Sequence, residues 1–145
     1  KEYHLNIIGD GEEKDSLQNL AKKLEVEERV HFLGYQSNPY NYMKNCDIFI
    51  LSSRHEGFPN VVLEANLCGI PTVAFKAPGG TGEIIQNSFN GYLVEAENIE
   101  SLSEHIIKAH NRTWDKEKII KNIIEKYNTN YIIEKYENEI SRISF

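Results

Sequence analysis

The segment CDIFILSSRHEGFPNVVLEANLCGIPTVAFKA, residues 46–77, contains one complete strand–helix–strand pattern. Its outer parts, IFIL and TVAF, are short apolar runs rich in β-branched or aromatic residues, which is typical of buried strands. The intervening PNVVLEANLC has helical character, because Pro59 suits a first helical position and Gly69 is well placed to end the helix. Strands joined by a helix pair in parallel, so the segment predicts a parallel sheet.

The same alternation extends along the chain in both directions. Strand patterns occupy residues 4–9, 30–34, 46–53, 71–77 and 91–95, and helical patterns occupy residues 12–26, 38–45, 59–68, 82–87, 99–111, 115–127 and 131–145. The sequence therefore predicts an α/β fold with a doubly wound parallel sheet, helices on both faces and a C-terminal helical segment. IFIL is the most apolar strand, so we expect it to be central. In the first helix, four apolar residues fall on one stripe: Leu17, Leu20, Ala21 and Leu24.

Length and charge limit the classes of protein. A chain of 145 residues predicts one domain with a single core, and a net charge of −6 argues against a nucleic-acid partner. There is neither an apolar run of about 18 residues nor a signal-peptide pattern, so we expect a cytoplasmic protein that does not span a membrane. Two cysteines, five scattered histidines and no Asp-x-Asp triplet predict reduced thiols and no metal site.

Ligands of open parallel sheets bind beyond the carboxyl ends of the strands. There the helix near Pro59 would present outward-facing N–H groups at Asn60, Val61 and Val62, and its dipole would favour a phosphate or diphosphate. Glu64 follows about one and a half turns later, near enough to bind hydroxyls of a sugar attached to that phosphate. Glu56, before the helix, would reach a different hydroxyl-bearing group.

Ordinary roles for the two glutamates remain open at this stage. Glu56 could be a solvated loop acid, and Glu64 could lie on the polar side of an amphipathic helix. In VVLEANL, however, Glu64 has apolar neighbours on nearly every side. A buried, unpaired carboxylate costs about several kcal/mol, which favours a site that a ligand completes.

Glu56, GFPNVVL and Glu64 together resemble the two-glutamate signature of retaining nucleotide-sugar glycosyltransferases with the GT-B fold, in particular the large family four. Other blocks resemble successive parts of the donor-binding, carboxyl-terminal domain of that family over residues 4–108: LNIIGDGEEKDSLQNLAKKL, RVHFLGYQSNPYNYMKNCDIFILSS, GIPTVAFKAPGGTGEII and NGYLV. A match of ordered blocks is more specific than a single glycine motif.

The resemblance implies a role for each matching residue. Glu64 would bind the ribose hydroxyls of the donor, and Glu56 would contact the transferred sugar and help to place its anomeric carbon. The remaining implied contacts are Gly57, Phe58, Pro59, Asn60 and Val61 at the sugar and diphosphate, Leu33, Gly34 and Tyr35 at the nucleobase, and Gly9, Asp10, Gly11, Gly79, Gly80, Thr81 and Glu83 along the cleft. A tight turn at residues 9–11 and a helix cap with a first-turn acid at residues 79–83 are the structural alternatives.

The resemblance also implies the composition of the whole enzyme. Residues 1–112 would form a Rossmann-like donor domain without its first strand, residues 113–145 would form closing helices that pack on it, and an N-terminal acceptor domain would be absent. The donor would be a nucleoside-diphosphate-sugar, in which UDP is the commonest nucleotide, and no cofactor or metal would be tightly bound. A glycan or lipid-linked acceptor, and any association with a membrane, would require the missing half. The isolated chain is then expected to be inactive.

The implied process is cell-surface polysaccharide or lipopolysaccharide assembly, and a composition rich in Asn, Ile and Lys hints at a bacterial source. Two alternatives are a nucleotide-binding sensor or scaffold without transfer activity, and a GT-B nucleotide-sugar 2-epimerase or phosphorylase. The glutamate pair in EGFPNVVLEA favours the transferase over both.

Overall fold

The computed structural model describes residues 2–143. These residues divide into two compact units, one ending at Pro39 and the other beginning at Tyr40. Each unit contains its own parallel sheet, and all five predicted strands are present, which confirms the predicted α/β class. The compact units do not coincide with the predicted division after residue 112, which stays a prediction.

The first unit is built around a parallel pair of strands. Its elements are β1 (Leu5–Ile8), α1 (Lys14–Lys23), a 3-10 turn (Glu27–Arg29) and β2 (Val30–Gly34). Of the predicted apolar stripe on α1, Ala21 is buried, whereas Leu17, Leu20 and Leu24 are 42%, 48% and 60% exposed. Helical periodicity thus fixes which residues share a face but not what covers that face.

The second unit has a three-stranded parallel sheet with the order β3-β4-β5. Its elements are α2 (Tyr40–Met43), β3 (Phe49–Leu51), α3 (Asn60–Leu67), β4 (Thr72–Phe75), α4 (Thr81–Ile84), β5 (Gly91–Val94), α5 (Ile99–His110), α6 (Lys116–Tyr127) and α7 (Thr129–Ile143). The expectation that IFIL forms the central strand is wrong within this sheet, because β4 lies in the middle and has all four residues buried. Strand order depends on how the crossovers return, which apolar content alone does not reveal.

Side chains alternate across β4 and divide the core into two layers instead of the single core expected from length. Ala74 packs with Val62 of α3 and Ile123 of α6 on one face. Val73 and Phe75 pack with Ala109 of α5 on the other face. Helices therefore cover both faces of this sheet, as predicted.

The first of the closing helices, α6, packs against α3, and α7 contacts α6. Helix α6 begins after Asp115, whose side chain accepts the N–H of Lys118, and it packs against α3 with Ile119 and Ile123 buried. The predicted break near residues 128–130 is confirmed, since α6 ends at Tyr127 and α7 begins two residues later. Residues 144 and 145 of the predicted last helix lie outside the described residues. Within residues 2–143, no helix combines the length and apolar composition that crossing a bilayer requires.

Candidate functional site

Two loops meet at the carboxyl edge of the second sheet. The β3–α3 loop (residues 52–59) and the β4–α4 loop (residues 76–80) follow neighbouring parallel strands, so they leave the sheet side by side. The N–H of Glu56 donates to the carbonyl of Pro78 at 3.2 Å, and the N–H of Gly80 donates to the carbonyl of Gly57 at 2.9 Å. These bonds join the predicted sugar-binding turn to the predicted glycine pair.

Gly79 shows why the β4–α4 loop contains glycine. Its φ is +109°, and a Cβ at this position would lie 1.7 Å from the carbonyl oxygen of Glu56 and 2.7 Å from that of Gly57. Only glycine permits both this backbone conformation and this close approach. The two loops can therefore touch through their backbones.

The start of α3 agrees only partly with its prediction. Pro59 is the N-cap residue and not the first helical residue. The predicted free N–H groups at Asn60 and Val62 are wrong, because they donate to the carbonyls of Phe58 and Pro59, both at 2.9 Å. Among the described residues, no acceptor is found for the N–H of Val61. Of the three predicted donors, the Val61 N–H is thus the one without an acceptor in the described residues, and it lies in the first turn, where the helix dipole favours an anion.

Glu64 lies on the face of α3 that also holds the first two residues of the helix. It follows Asn60 by four residues and Val61 by three, so the three side chains share a face, while Val62, Ala65 and Asn66 point into the core. Glu64 is half-buried, and within residues 2–143 no hydrogen bond or ion pair to its carboxylate is found. Its environment is therefore intermediate between a buried carboxylate and one on the polar side of an amphipathic helix, the two possibilities that the sequence left open. Because no ion pair within the described residues engages the Glu64 carboxylate, its oxygens can accept hydroxyl groups.

Glu56 is fixed by a hydrogen bond of its backbone N–H, whereas its side chain makes no bond within the described residues. It is half-buried in the β3–α3 loop, and in the described part of the chain its carboxylate also has no bonded partner. The neighbouring Arg54 pairs through its Nε atom with Glu97 at 2.7 Å on the exposed surface. Lys76 is exposed at the end of β4, and its N–H donates to the carbonyl of Val94.

Gly80 and Thr81 fix the shape of the β4–α4 loop. The side chain of Thr81 is fully buried, and its hydroxyl donates to the carbonyl of Ala77 at 3.1 Å. Gly80 lies directly under the Phe58 ring, because a Cβ there would be 2.7 Å from ring atom Cδ2. Thr81 thus braces the loop from within, and contact between it and a ligand stays a prediction.

A buried amide network supports the site from below, and the sequence interpretation missed it. Asn66 of α3 donates to the carbonyl of Ile70 at 2.9 Å and to the hydroxyl of Thr72, and it accepts from Asn90. Asn90 also donates to the carbonyl of Ile84 at 2.9 Å. The network connects the end of α3 to β4 and to the end of α4, so it fixes how these elements lie. An asparagine inside the apolar run LEANL was the available signal, because a buried amide needs partners.

The first unit brings together the other predicted residues. The N–H of Gly9 donates to the carbonyl of Gly34 at 2.8 Å, and the carboxylate of Asp10 accepts the N–H of Tyr35 at 3.0 Å and the Nζ of Lys14 at 2.8 Å. The hydrogen bond from Lys14, followed by that from the Tyr35 N–H, holds the pKa of the Asp10 carboxyl below its usual value. Asp10 therefore pins the turn after β1 to the end of β2.

The predicted nucleobase contacts lie at that junction. Leu33 and Gly34 are half-buried, whereas the side chain of Tyr35 is 78% exposed. Gly34 has a φ of +65°, a conformation that favours glycine, and Asp10 lies 3.4 Å from where its Cβ would be. The tight-turn alternative for residues 9–11 is thus observed, and it leaves a role in binding untested.

No metal centre is apparent in the portion that the structure describes. Within residues 2–143, no group of three or more His, Cys, Asp or Glu side chains has an arrangement that could hold an ion.

Comparison with known proteins agrees with this arrangement. The family described as "Glycosyl transferases group 1" matches residues 1–127. A Campylobacter jejuni protein named N-acetylgalactosamine-N,N'-diacetylbacillosaminyl-diphospho-undecaprenol 4-alpha-N-acetylgalactosaminyltransferase is 40% identical over 98 residues, which are 68% of this chain and 27% of that protein.

Two solved structures show the same fold. The apo form of the lipopolysaccharide outer core galactosyltransferase WaaB superposes with a TM-score of 0.90 and 27% identity, over 99% of this chain and 42% of that one. The Anabaena protein HepE in complex with UDP-glucose superposes with a TM-score of 0.79 and 27% identity, over 96% and 41%. The chain thus spans less than half of the length of these relatives.

The predicted Rossmann-like fold of a GT-B enzyme is confirmed by these superpositions. The family match covers well over half of the residues and includes both glutamates of the site. The chain therefore belongs to the group 1 glycosyltransferases.

Proposed function

We propose that this chain is the donor-binding half of a retaining glycosyltransferase of family four, which uses a nucleoside-diphosphate-sugar. The observation that carries the proposal is Glu64, a half-buried carboxylate without a bonded partner in residues 2–143, on the face of α3 that also holds the unpaired N–H of Val61. A diphosphate at the first turn of α3 would place the adjoining ribose about one turn along, within reach of Glu64. The ribose hydroxyls would then donate to the carboxylate.

Glu56 has a different proposed role. It precedes α3 in a loop whose backbone is fixed by Pro78, so its carboxylate can be directed at the transferred sugar without loop movement. Retaining transfer passes through a departing diphosphate and a cationic sugar, which depend on positioning and electrostatic stabilisation. Glu56 would bind sugar hydroxyls and orient the anomeric carbon, and it need not act as a general base.

UDP is the proposed nucleotide. The relative HepE was crystallised with UDP-glucose and matches 96% of this chain, which supports a uridine donor. Leu33, Gly34 and Tyr35 are the proposed nucleobase contacts, through backbone groups at the end of β2. Gly57, Phe58, Pro59, Asn60, Val61, Gly9, Gly80 and Thr81 remain the proposed residues around the rest of the donor, with Thr81 acting through the loop that it braces.

The proposed acceptor is a glycan or a lipid-linked sugar in cell-surface polysaccharide or lipopolysaccharide assembly. WaaB is a lipopolysaccharide core enzyme by name, and the Campylobacter relative is named for a diphospho-undecaprenol substrate. Because the chain spans 27–42% of these relatives, we propose that an acceptor-binding half lies outside it and that the chain alone transfers no sugar. Residues 1–112 would then be the donor domain proper, and residues 113–145 its closing helices.

Nucleotide binding tests the proposal directly. UDP, GDP and ADP are titrated into the 145-residue chain, and the amide NMR signals of Val61 and Glu64 are followed because weak binding still shifts them. We expect UDP to bind more tightly than GDP and ADP. It should shift the signals of Val61 and Glu64 more than those of α5, which belongs to the same unit. If none of the three nucleotides shifts them at millimolar concentration, the proposal is wrong. If UDP binds but the chain joined to an acceptor half releases none from a UDP-sugar, a sensor role replaces the transferase.

A further inference from the structure

Tyr127, the last residue of α6, contacts both elements that form the site in the second unit. Its ring packs on Phe58 of the β3–α3 loop, with ring centroids 5.9 Å apart and planes inclined by 56°. Its hydroxyl donates to the backbone carbonyl of Glu83 in α4 at 3.2 Å. One side chain from the closing helices therefore reaches the β3–α3 loop and the helix that follows the β4–α4 loop. The sequence interpretation gave these helices a packing role alone.

Phe58 transmits this contact into the site. Its ring lies against Gly80, where an added Cβ would be 2.7 Å from Cδ2, so the partly exposed ring contacts both Gly80 and Tyr127. Movement of Tyr127 would release the Phe58 ring on one side and α4 on the other. The two bonds between the loops, from Glu56 to Pro78 and from Gly80 to Gly57, would then lose their support.

The phenol is suited to a lasting hydrogen bond. Burial raises the pKa of Tyr127, and the nearby charge of Glu83 raises it further, followed by Tyr131. The hydroxyl group therefore stays protonated through the neutral range and remains a donor to the Glu83 carbonyl.

We propose that Tyr127 is a positioning residue that holds the β3–α3 loop and α4 together in the arrangement that receives the donor diphosphate. The identity of the ligand, a donor diphosphate, rests on the proposed function. The contacts of Tyr127 with Phe58 and Glu83 do not, because they are present in the structure. Tyr127 acts through Phe58 and Glu83, so it need not touch the donor. Its hydroxyl and its ring make separate contributions, and these can be removed one at a time.

The test uses Tyr127→Phe, which removes the hydroxyl and keeps the ring on Phe58. In the 145-residue chain we expect the Kd for UDP to rise about 2- to 10-fold, the equivalent of one neutral hydrogen bond. Two controls accompany it. Tyr136→Phe removes the hydroxyl of a tyrosine on α7 that is 68% exposed, and Ile119→Val weakens the buried face of the same helix, α6. Neither control should change the Kd by more than the error of the titration.

Hydrogen exchange gives a readout that a general loss of stability would not produce. We expect Tyr127→Phe to accelerate exchange of the Gly80 amide, which bonds Gly57, more than that of Val73 in the buried strand β4. Ile119→Val should accelerate both alike if it acts through global opening.

The outcomes separate the inference from the proposed function. If the wild-type chain binds no UDP, the proposed function fails, and the Gly80 exchange still decides whether Tyr127 orders the loops. If UDP binds and Tyr127→Phe leaves both the Kd and the Gly80 exchange at wild-type values, the inference is wrong. If Ile119→Val raises the Kd as much as Tyr127→Phe does, Tyr127 has a merely structural role and the inference is overturned.

Discussion

Replacing Gly79 by alanine should separate the two loops of the site. The new Cβ would lie 1.7 Å from the carbonyl oxygen of Glu56, so the loops must move apart by about 1.7 Å before the separation reaches the 3.4 Å of an ordinary van der Waals contact. The φ of +109° adds strain of about 1–3 kcal/mol for a residue with a side chain. Separation also breaks the bonds from Glu56 to Pro78 and from Gly80 to Gly57, each worth about 0.5–1.5 kcal/mol. The expected loss in the free energy of unfolding is about 2–6 kcal/mol.

Urea unfolding followed by tryptophan fluorescence measures this loss. Trp114 is the single tryptophan of the chain and lies in the same unit as Gly79. The matched control is Gly82→Ala in α4, where an added Cβ meets nothing within 4 Å. Alanine is favoured over glycine in a helix by about 0.5–1 kcal/mol, so the control should be neutral or slightly stabilising. A loss of less than about 1 kcal/mol for Gly79→Ala would refute the argument that backbone contact joins the loops.

Three further predictions concern the support, the first unit and the chemistry. Asn66→Ala should lower the free energy of unfolding by about 2–4 kcal/mol, because the buried partners of Asn66 lose their hydrogen bonds. The control Asn130→Ala, at an exposed position, should change it by less than about 0.5 kcal/mol. Similar losses for the two variants in urea unfolding would disprove a structural role for the amide network. The folded-state pKa of Asp10 is lowered by Lys14, so its contribution to stability is complete above 3.8 and is lost as the pH falls through that lowered pKa. An NMR titration of the Asp10 carboxyl should have its midpoint below 3.8, and a midpoint at or above this value would contradict the bonding described. In a protein carrying both halves, Glu56→Ala should lower kcat by about 100-fold or more while the Kd for UDP stays nearly unchanged, and equal effects on both would mean that the roles of the glutamates are assigned wrongly.

The strands and most helices could be predicted because local patterns determine them. All five strands lie within their predicted ranges, and the break between α6 and α7 falls at Asn128, where the pattern was interrupted. The end of α3 is equally local. Gly69 has a φ of +73°, and the Ile70 N–H donates to Ala65 while the Gly69 N–H donates to Asn66, which is the bonding expected after a helix that glycine ends.

The errors concern what lies beside each element in space. The middle position of β4 depends on how the crossovers return, which the period of apolar residues does not encode. The amides near Pro59 were expected to be free, but a tight turn consumes those of Asn60 and Val62. Residue types alone do not reveal which individual N–H groups a tight turn will bond.

The site was predictable where a side chain is chemically unusual for its surroundings. Glu64 stands out as an acid inside an apolar helix, and the structure places it half-buried without a bonded partner in residues 2–143. Tyr127 does not stand out, because a tyrosine at the end of an amphipathic helix is ordinary. Its contacts with Phe58 and Glu83 join residues that are remote in sequence, so only the fold reveals them.

The grip of Glu64 on the nucleotide is the central claim, and titration of UDP into the wild-type chain and the Glu64→Ala variant tests it most directly. A hydrogen bond to a charged acceptor contributes about 1.5–3 kcal/mol, so we expect the Kd to rise at least about 10-fold. Urea unfolding of the variant should match that of the wild type, since no protein group within residues 2–143 is bonded to the carboxylate. Equal affinity of the two proteins for UDP, with the fold intact, would contradict the account.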